Sequence, residues 1–337
     1  MKSSSVGGAR PGRLALTVFL IIGIFSACIS GCTNRGARSY RIGLGPFVGF
    51  GPLYLAQEKG YFQQAGLNVE LIVLTGLAER NSALKAGKID ALAAPVDYFV
   101  LSAGNNLPTT IVMSIDESDG ADGIVAKPSI KTIQDLRRKR VAVQRGLPSE
   151  FFLRALLQQS GMKWTDLDAV DMETAQGAAA FISGKVDAAV IWDPWLTKAR
   201  QDGNGWILAS SKEFPNLIVD CVAFNNDVVR RSPRDVQSIV DTVSRAIHYW
   251  GQQPADANQI MAPHFQVDAA KYADILTGVK FTGLERNRQY FGTAAAPGPI
   301  FSVAWRASQL WMEAGAISRP VDPNSIISTK FVTEGHE

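Results

Sequence analysis

The stretch Leu84-Lys-Ala-Gly-Lys-Ile-Asp-Ala-Leu-Ala93 has a near copy at Ile182-Ser-Gly-Lys-Val-Asp-Ala-Ala-Val190. In both copies a helical pattern ends at a glycine, Gly87 or Gly184, and an aspartate precedes a short apolar run. Glycine just after a helix tolerates the left-handed conformation that ends the helix. The sequence therefore predicts the same helix-to-strand junction twice.

The elements around each junction also repeat, in the order strand, helix, strand, helix, strand. The first set is predicted at Tyr40–Gly45, Pro52–Lys59, Leu67–Leu74, Leu77–Ala86 and Ala91–Ala94. The second set is predicted at Arg140–Gln144, Glu150–Ser160, Ala169–Met172, Ala175–Ser183 and Ala188–Ile191. Such alternation indicates an α/β fold of two similar lobes, each a mostly parallel sheet flanked by helices. Loops at the carboxyl ends of the strands then form a binding crevice.

Six segments, taken in order, carry a family resemblance. They are Pro52-Leu-Tyr-Leu-Ala-Gln-Glu-Lys-Gly-Tyr-Phe62, Gly66-Leu-Asn-Val-Glu70, Ala83-Leu-Lys-Ala-Gly-Lys-Ile-Asp90, Val141-Ala-Val-Gln-Arg-Gly146, Gly184-Lys-Val-Asp-Ala188 and Trp192-Asp-Pro-Trp195. Together they resemble the nitrate-, sulfonate- and taurine-type substrate-binding proteins of bacterial ABC importers, over essentially the whole mature chain. The resemblance implies a two-lobed periplasmic-binding-protein fold of type II, with the ligand in the interlobe cleft.

The amino terminus has the pattern of a signal peptide. Arg10 and Arg13 precede an apolar run from Leu14 to Phe25, which is short for a transmembrane helix, and Ile29-Ser-Gly-Cys32 follows. The last four residues resemble a bacterial lipobox, which implies cleavage before Cys32 and a lipid on that cysteine. A plain secretory signal with an incidental cysteine is the alternative.

These patterns divide the chain. We expect residues 1–31 to be a lipoprotein signal peptide, 32–39 a tether, 40–123 plus 224–337 the first lobe, and 124–223 the second lobe. The chain is expected to cross between lobes beside the acidic cluster Asp116–Asp122 and again at the apolar strand Leu217–Phe224.

The composition is that of an ordinary globular protein, with 337 residues of which 46% are hydrophobic and 19% charged. The formal net charge of +3 includes three basic residues of the predicted signal, and without them 31 basic residues face 31 acidic ones. A neutral mature protein does not favour a nucleic-acid partner. Cys28 leaves with the signal and Cys32 is acylated, so Cys221 is left alone as a buried apolar side chain.

Candidate ligand-binding residues of the first lobe follow its strands. In the loop Pro46–Pro52, Phe47 and Phe50 form either apolar walls of the cleft or part of the core. The start of the next helix is a binding position for an anion. Where the family usually has small hydroxyl residues, Gly76 and Leu77 leave only backbone donors.

Carboxylates near the first crossing allow two interpretations. Asp97 either caps the helix that follows or projects into the cleft. The cluster that includes Asp116 and Asp122 is either a solvated loop or a wall of the cleft. If it faces the cleft, the ligand should carry an amine or a similar cation.

The second lobe offers equivalent groups. Ser149 can donate to a ligand at a helix start, with Arg145 as a counter-charge unless that arginine is exposed. Asp193, followed by a proline, fits a helix N-cap as well as a ligand contact. Trp192 either closes over the ligand with its ring and indole N–H or packs in the core.

The full set of candidate ligand-binding residues is Phe47, Gly49, Phe50, Gly76, Leu77, Asp97, Asp116, Asp122, Ser149, Trp192 and Asp193. No catalytic residue, metal or cofactor is expected. The resemblance implies a monomeric, lipid-anchored extracytoplasmic receptor that delivers a small polar solute to an ABC permease and its ATPase. An aliphatic sulfonate, taurine or nitrate is the first expectation. A cationic or neutral nitrogen compound, such as an aminopyrimidine thiamine precursor, is the alternative.

Two other classes of function are disfavoured. A periplasmic enzyme lacks support because the only histidines are His248, His264 and His336, and no Gly-x-Ser-x-Gly, His-Glu-x-x-His or P-loop motif occurs. A ligand-sensing domain of a regulator would need a DNA-binding or signalling module, and the amino terminus carries a lipobox pattern instead.

Overall fold

A computed structural model describes residues 1, 4, 7, 8, 38–107 and 109–333. The chain divides into a unit Met1–Arg38 and a compact unit Ser39–Glu337. The predicted signal peptide and Cys32 lie outside the described residues, apart from residues 1, 4, 7 and 8. No helix in the described part of the chain is both long enough and apolar enough to span a membrane.

Strands and helices alternate through most of the larger unit. The strands are β1 (Arg38–Leu44), β2 (Leu67–Val73), β3 (Ala91–Pro95), β4 (Thr109–Ser118), β5 (Asp122–Ala126), β6 (Arg140–Val143), β7 (Asp168–Asp171), β8 (Ala188–Trp192), β9 (Trp206–Ser210), β10 (Val219–Asn225) and β11 (Val279–Phe281). The helices are α1 (Gly51–Glu58), α2 (Tyr61–Gln64), α3 (Leu77–Lys85), α4 (Val96–Gly104), α5 (Pro148–Gln159), α6 (Thr174–Ile182), α7 (Trp195–Asp202), α8 (Asn226–Arg231), α9 (Pro233–Gln252), α10 (Pro254–Met261), α11 (Ala269–Ile275), α12 (Leu284–Phe291), α13 (Pro299–Glu313) and α14 (Lys330–Thr333).

The strands between residues 38 and 281 form two sheets. The first has the order β11-β4-β10-β3-β1-β2, and the second has the order β7-β6-β8-β5-β9. The expected two-sheet α/β fold is confirmed, but the sheets are mixed rather than mostly parallel. The pairs β1–β3, β6–β7 and β6–β8 are parallel, whereas β10 and β5 run antiparallel to both of their neighbours. The chain reaches β5 from the first sheet and β10 from the second sheet. Each of these strands therefore begins at the end of the sheet where its neighbour, β8 or β3, finishes.

Two short segments, adjacent in space, connect the sheets. One runs from Ser118 at the end of β4 to Asp122, and the other from Ser211 to Ile218. The Ser118 and Ser211 hydroxyls hydrogen bond at 2.7 Å, and the backbone N–H of Ser118 donates to the Ile218 carbonyl at 3.0 Å. Because β10 pairs within the first sheet, the chain returns before Val219, ahead of the boundary expected at residue 223.

The repeated Gly-Lys-x-Asp sequence has the same structural role in both sheets. Gly87 and Gly184 adopt positive φ angles of 61° and 72°, as the helix-end prediction requires. The aspartate of each copy then binds the start of the neighbouring parallel strand. Asp90 accepts a hydrogen bond from the backbone N–H of Arg41 at 2.9 Å, and Asp187 accepts one from that of Arg140 at 3.1 Å. The motif therefore fixes the register of β3 on β1 and of β8 on β6.

The long helix α9 buries the apolar stripe that its sequence predicts. Its buried residues include Val236, Ile239, Val240, Val243, Ala246 and Ile247. Cys221 is fully buried on β10, as expected for a small apolar side chain.

Candidate ligand-binding cleft

A small cavity lies between the two sheets, at the carboxyl ends of β1, β3 and β8. From the side of the first sheet it is lined by Gly45, Pro46, Phe47, Phe50, Arg80, Pro95, Ile218 and Asp220. From the side of the second sheet it is lined by Asp122, Pro148 and Trp192. This is the position that a sheet's strand order assigns to a ligand in open α/β folds. The free volume is about 30 Å³, which is room for about one water molecule.

The walls of the cleft touch each other at its mouth. The Gln144 side-chain amide donates to the Thr75 carbonyl at 3.4 Å. Leu77 lies so close to Gly146 that a Cβ at this glycine would come within 2.3 Å of a leucine methyl group. The lobes are thus in contact beside the cavity, and a solute larger than water needs the cleft to widen.

Three aromatic rings form apolar walls of the cavity. Phe47 and Phe50 lie edge to face with their centroids 5.7 Å apart, and both are buried. Trp192, at the end of β8, has only 6% of its surface exposed. Its indole N–H has no hydrogen-bond partner among the described residues. These side chains are therefore both buried in the core and part of the cavity wall. Trp192 keeps an indole N–H at the cavity without a partner in the described part of the chain.

Four buried carboxylates lie in or behind the wall of this space, and we call Asp97, Asp116, Asp122 and Asp220 the carboxylate cluster. Asp122 and Asp220 line the cavity. Asp116 lies directly opposite Asp220 on the neighbouring strand, and Asp97 lies in the first turn of α4 behind Pro95. Both carboxylate oxygens of Asp97 and of Asp116 are buried and accept no hydrogen bond from a donor of the described residues.

Burial raises the pKa of every carboxyl in the cluster. It raises the pKa of Asp122 to about 7, with the neighbouring Asp193 adding to the effect. It also raises the pKa of Asp97 to about 7, against the opposing effect of backbone N–H groups at the start of α4. The pKa values of Asp116 and Asp220 lie well above their usual range, first because both are buried; the charge of Asp116 raises the pKa of Asp220 further, whereas a hydrogen bond with Asp220 opposes the rise at Asp116. Two carboxyls so placed hold a proton between them.

Arg80 is the only basic residue among the described residues that line the cavity, and the sequence analysis did not identify it. Its Nε donates to the Leu74 carbonyl at 3.1 Å, and its guanidinium lies 5.9 Å from the centre of the Tyr98 ring. It can approach the cavity because residue 45 is glycine. A Cβ at Gly45 would lie 2.4 Å from a terminal nitrogen of Arg80.

The glycines and leucine predicted at the site have indirect roles. Gly49 lies against the carboxylate of Asp116, and a Cβ there would lie 2.3 Å from its Oδ2. Gly76 is the N-cap residue of α3 and does not line the cavity. Leu77 contacts the opposite wall at the mouth, as described above.

The predicted polar residues fall into three positions. Ser149 is buried in the first turn of α5 beside Pro148, and its hydroxyl has no partner among the described residues. Asp193 accepts a hydrogen bond from the Thr197 N–H at 2.8 Å and so satisfies a donor in the first turn of α7, whose N-cap residue is Pro194. Arg145 is exposed and lies over the Trp164 ring, away from the cavity lining.

Two interpretations of acidic residues need correction. Asp97 does not cap α4, because Pro95 is the N-cap residue and Asp97 lies inside the first turn. The segment from Asp116 to Asp122 is not a solvated loop, because Asp116 belongs to β4 and Asp122 to β5, and both are buried. Strand pairing on both sides removes these residues from water.

Signals for the two missed residues exist in the sequence. Arg80 lies three residues after Leu77 and three before Ala83, on the helix face that is buried. Asp220 is the single charged residue in the otherwise apolar strand Leu217–Phe224. A charged residue at a core position of a predicted element is a candidate site residue. No group of histidine, cysteine or acidic side chains in the described part of the chain is arranged to hold a metal ion.

Comparison with known proteins bears on both family and fold. Residues 48–257 match the family model described as NMT1/THI5 like. The chain is 23% identical over 295 residues to the taurine-binding periplasmic protein of Escherichia coli (strain K12), and the match covers 83% of this chain and 89% of that protein.

Solved structures agree with this assignment. The alkanesulfonate-binding protein SsuA from Xanthomonas axonopodis pv. citri, bound to MOPS, superposes with a TM-score of 0.73 at 19% identity, covering 86% of this chain and 98% of that chain. The aliphatic sulphonate-binding protein SsuA from Escherichia coli gives a TM-score of 0.72 at 20% identity, covering 88% and 99%. These matches confirm the two-lobed periplasmic-binding-protein fold. The family model covers more than half of the 337 residues, so the chain belongs to the NMT1/THI5-like family.

Proposed function

We propose that this protein is the extracytoplasmic solute receptor of an ABC importer. One observation carries the proposal: a cavity between two sheets, at the carboxyl ends of their strands, with the unpartnered indole N–H of Trp192 in its lining and further buried polar atoms nearby that have no partner among the described residues. Buried polar groups cost free energy when they lack a partner, so native structures rarely keep them without a use. A solute that binds between the lobes would satisfy them.

A receptor explains the cavity better than an enzyme does. The polar side chains that line it are those of Arg80, Asp122, Asp220 and Trp192, with no nucleophile and base in contact. His264 stacks on Tyr54 and pairs with Glu58 at 3.3 Å, outside the lining. A receptor needs only differential affinity for the closed state.

The two connecting segments support closure as the capture mechanism. We propose that residues 40–123 plus 224–337 and residues 124–223 move as two lobes, with the second boundary shifted to before Val219. The hydrogen-bonded pair of segments at Ser118 and Ser211 would act as the hinge. Closure would bring Trp192 and Asp122 of one lobe against Phe50 and Asp220 of the other.

The solute is a small polar organic molecule. By name, two relatives bind taurine and aliphatic sulphonates. The N-termini of α1 and α5 and the guanidinium of Arg80 would suit a sulfonate oxygen. The carboxylate cluster would not, and this favours a solute that also carries a charged nitrogen, such as taurine, or the nitrogen compounds considered as the alternative.

Membrane attachment belongs to the same proposal. A lipid on Cys32 would hold the receptor at the outer face of the membrane, beside the permease that it supplies. The receptor would act as a monomer, because each polypeptide contains a complete cleft.

The experiment is to isolate the full lipoprotein from its own cells in mild detergent and to identify small molecules released on unfolding. A receptor releases one molecule of an unmodified solute per chain, and the refolded protein takes the same solute up again. Conversion of the solute during incubation would indicate an enzyme. The absence of any stoichiometric solute, together with no thermal stabilisation by any solute class, would contradict the receptor function.

A further inference from the structure

More acidic groups are buried at the cavity than the protein's own cations could balance if those groups were ionised. The carboxylate cluster contributes four acidic groups, and Arg80 is the only cation among the described residues lining the space. Arg80 already donates to a backbone carbonyl, and burial lowers the pKa of its guanidinium against the opposing charges of Tyr98, Asp220, Glu79 and Asp97. A buried carboxylate without a partner is costly. The described residues around the cavity therefore supply too little positive charge to pair with all four carboxylates.

Buried acids outside the cluster show that this imbalance is local. In the described part of the chain each of them accepts a hydrogen bond: Glu117 from Asn216 and Arg286, Glu150 from Gly146 and Arg154, Asp193 from Thr197, and Asp235 from Tyr40. By contrast, four carboxylate oxygens of Asp97 and Asp116 accept none. The fold satisfies its structural acids, whereas Asp97 and Asp116, which lie behind the cavity lining of Asp122 and Asp220, have no hydrogen-bond donor among the described residues.

The helix start that faces this region is occupied by the protein's own charge. Asp97 lies in the first turn of the nine-residue helix α4, where the nearby backbone N–H groups of Asp97 and Tyr98 lower the pKa of its carboxyl although neither has the geometry of a full hydrogen bond. A solute anion at that position would meet a resident carboxylate rather than free N–H groups. An oxyanion alone is therefore a poor match for the cavity.

The aromatic walls and the indole N–H give a second, independent indication of a ligand. Trp192 is more than nine-tenths buried, lines the cavity and has an N–H without a partner in the described residues. It can donate to one acceptor atom of a solute. The rings of Phe47, Phe50 and Trp192 also suit the apolar body of a solute, and an aromatic face attracts a cation.

We propose that the solute of this cleft carries a positively charged nitrogen group, bound by Asp122 and Asp220 at the cavity wall and supported by the charges of Asp97 and Asp116 behind them. An ammonium or amidinium group supplies several N–H donors to these oxygens, and charge-assisted hydrogen bonds of this kind are the strong ones. The inference rests on the proposed receptor function and specifies its ligand. Both a simple cation and a zwitterion such as taurine contain the required group.

Binding of such a group is linked to protons. The pKa values of Asp97 and Asp122 are about 7, and a bound cation favours their charged forms. Affinity for a cation should therefore rise from pH 6 to pH 8, whereas affinity for an anion should fall. The other titratable or charged groups near the cluster are Arg80, Tyr98, Glu117, Asp193, Cys221 and Tyr272.

The test uses the full lipoprotein in mild detergent and four two-carbon probes: ethanolamine, taurine, isethionate and ethylene glycol. The first two carry an ammonium group, and the last two carry a hydroxyl group in its place. A second set, benzamidine, benzamide and benzoate, varies charge on an aromatic body. We expect binding by calorimetry only with members that carry charged nitrogen, at least 10-fold weaker at pH 6 than at pH 8. Any solute released from protein isolated from its own cells should carry the same group.

Substitutions test whether the carboxylate cluster, rather than a neighbouring acid, binds the solute. Asp220→Asn and Asp122→Asn should each weaken cation binding at least 10-fold. Glu117→Gln, next to Asp116 on β4 but paired with Arg286, should leave affinity unchanged. Binding of isethionate or benzoate that is as tight as, or tighter than, that of the ammonium and amidinium probes would overturn the cation assignment and leave the receptor function standing. A released solute without charged nitrogen would do the same. No probe binding together with no released solute would overturn both.

Discussion

Asp116 on β4 and Asp220 on β10 lie directly opposite each other on neighbouring antiparallel strands, and both are buried. Like charges in directly opposed positions destabilise a sheet, so a proton or an external cation must separate them. Asp122 and Asp97 are buried near this pair, and their charges would add to the same repulsion. Local violations of otherwise consistent folding rules are typical of functional sites, and here the violation coincides with the cleft.

The first prediction concerns the pH dependence of stability without solute. Burial raises the folded-state pKa values of Asp97 and Asp122 to about 7 from an ordinary value of 3.8, so the folded chain binds more protons than the unfolded chain between these limits. The free energy of unfolding should therefore fall as pH rises from about 4 to 7, and it should level off above pH 7. Each group contributes up to about 4 kcal/mol. Urea denaturation at pH 5, 6, 7 and 8 measures the slope.

A control is needed because other acids oppose this trend. The hydrogen bonds at Asp135 lower its pKa, so its contribution to stability is lost at low pH instead. Asp97→Asn isolates the cluster: the variant should show a shallower loss of stability between pH 5 and 8 than the natural chain. Equal slopes in the two proteins would contradict the raised pKa of Asp97.

A second prediction compares neighbouring acids on β4. Asp116→Asn removes one carboxyl of the buried, directly opposed pair with Asp220, and at pH 8 the loss of their mutual repulsion should raise the free energy of unfolding. Glu117→Gln removes a charge that accepts hydrogen bonds from Asn216 and Arg286, so it should lower the same quantity by about 1–3 kcal/mol. Opposite signs for adjacent residues are the expected result in urea titrations. A loss of stability in both variants would mean that Asp116 has a structural partner.

The fold was largely predictable because its signals are local and repeated. Gly87 and Gly184 end their helices with positive φ, and the strands and helices of both repeats begin or end within two residues of their predicted limits. The direction of β5 and β10 was not predictable in the same way. Their antiparallel pairing depends on the chain crossing between sheets, which no short pattern encodes.

The site was predictable only in part, for a related reason. The aromatic residues Phe47, Phe50 and Trp192 and the carboxylate Asp122 follow strand ends, so topology alone brings them to one edge. Asp220 lies within a strand that returns about 100 residues after its neighbour Asp116, and Arg80 lies on a helix face. Whether a charged residue in a buried element faces a cavity depends on packing between distant segments.

A third prediction concerns the connection between the sheets. The Ser211 hydroxyl bonds that of Ser118 and accepts from the N–H of Gly120, each at 2.7 Å. Ser211→Ala should cost about 1–3 kcal/mol, because a buried donor is left without a partner, and it should increase the radius of gyration measured by X-ray scattering. Ser183→Ala, which removes an exposed bond at the end of α6, should change stability by less than about 0.5 kcal/mol. Equal effects of the two substitutions would argue against a hinge at Ser211.

A fourth prediction tests the lipid anchor. Cells fed a labelled fatty acid should incorporate the label into the natural chain, and Cys32→Ser should abolish it and release the protein from the membrane fraction. Cys221→Ser is the matched control, because that thiol is buried in β10 and should have no influence on labelling. Labelling that persists in Cys32→Ser would assign the lipid to another residue, and membrane retention without label would point to an uncleaved leader.

The last prediction separates a structural from a functional indole. Trp206 donates its Nε1–H to the Ile130 carbonyl at 2.8 Å, whereas the Nε1–H of Trp192 has no partner in the described residues. Phenylalanine at either position keeps an aromatic ring and removes the donor. Removal of the indole donor should therefore cost about 1 kcal/mol more stability in Trp206→Phe than in Trp192→Phe. Solute affinity should show the reverse order, about 3- to 10-fold weaker in Trp192→Phe and unchanged in Trp206→Phe, as measured by calorimetry. If Trp192→Phe binds the solute with full affinity, the free indole donor is not a ligand contact, and the cavity must recognise its solute through the carboxylates alone.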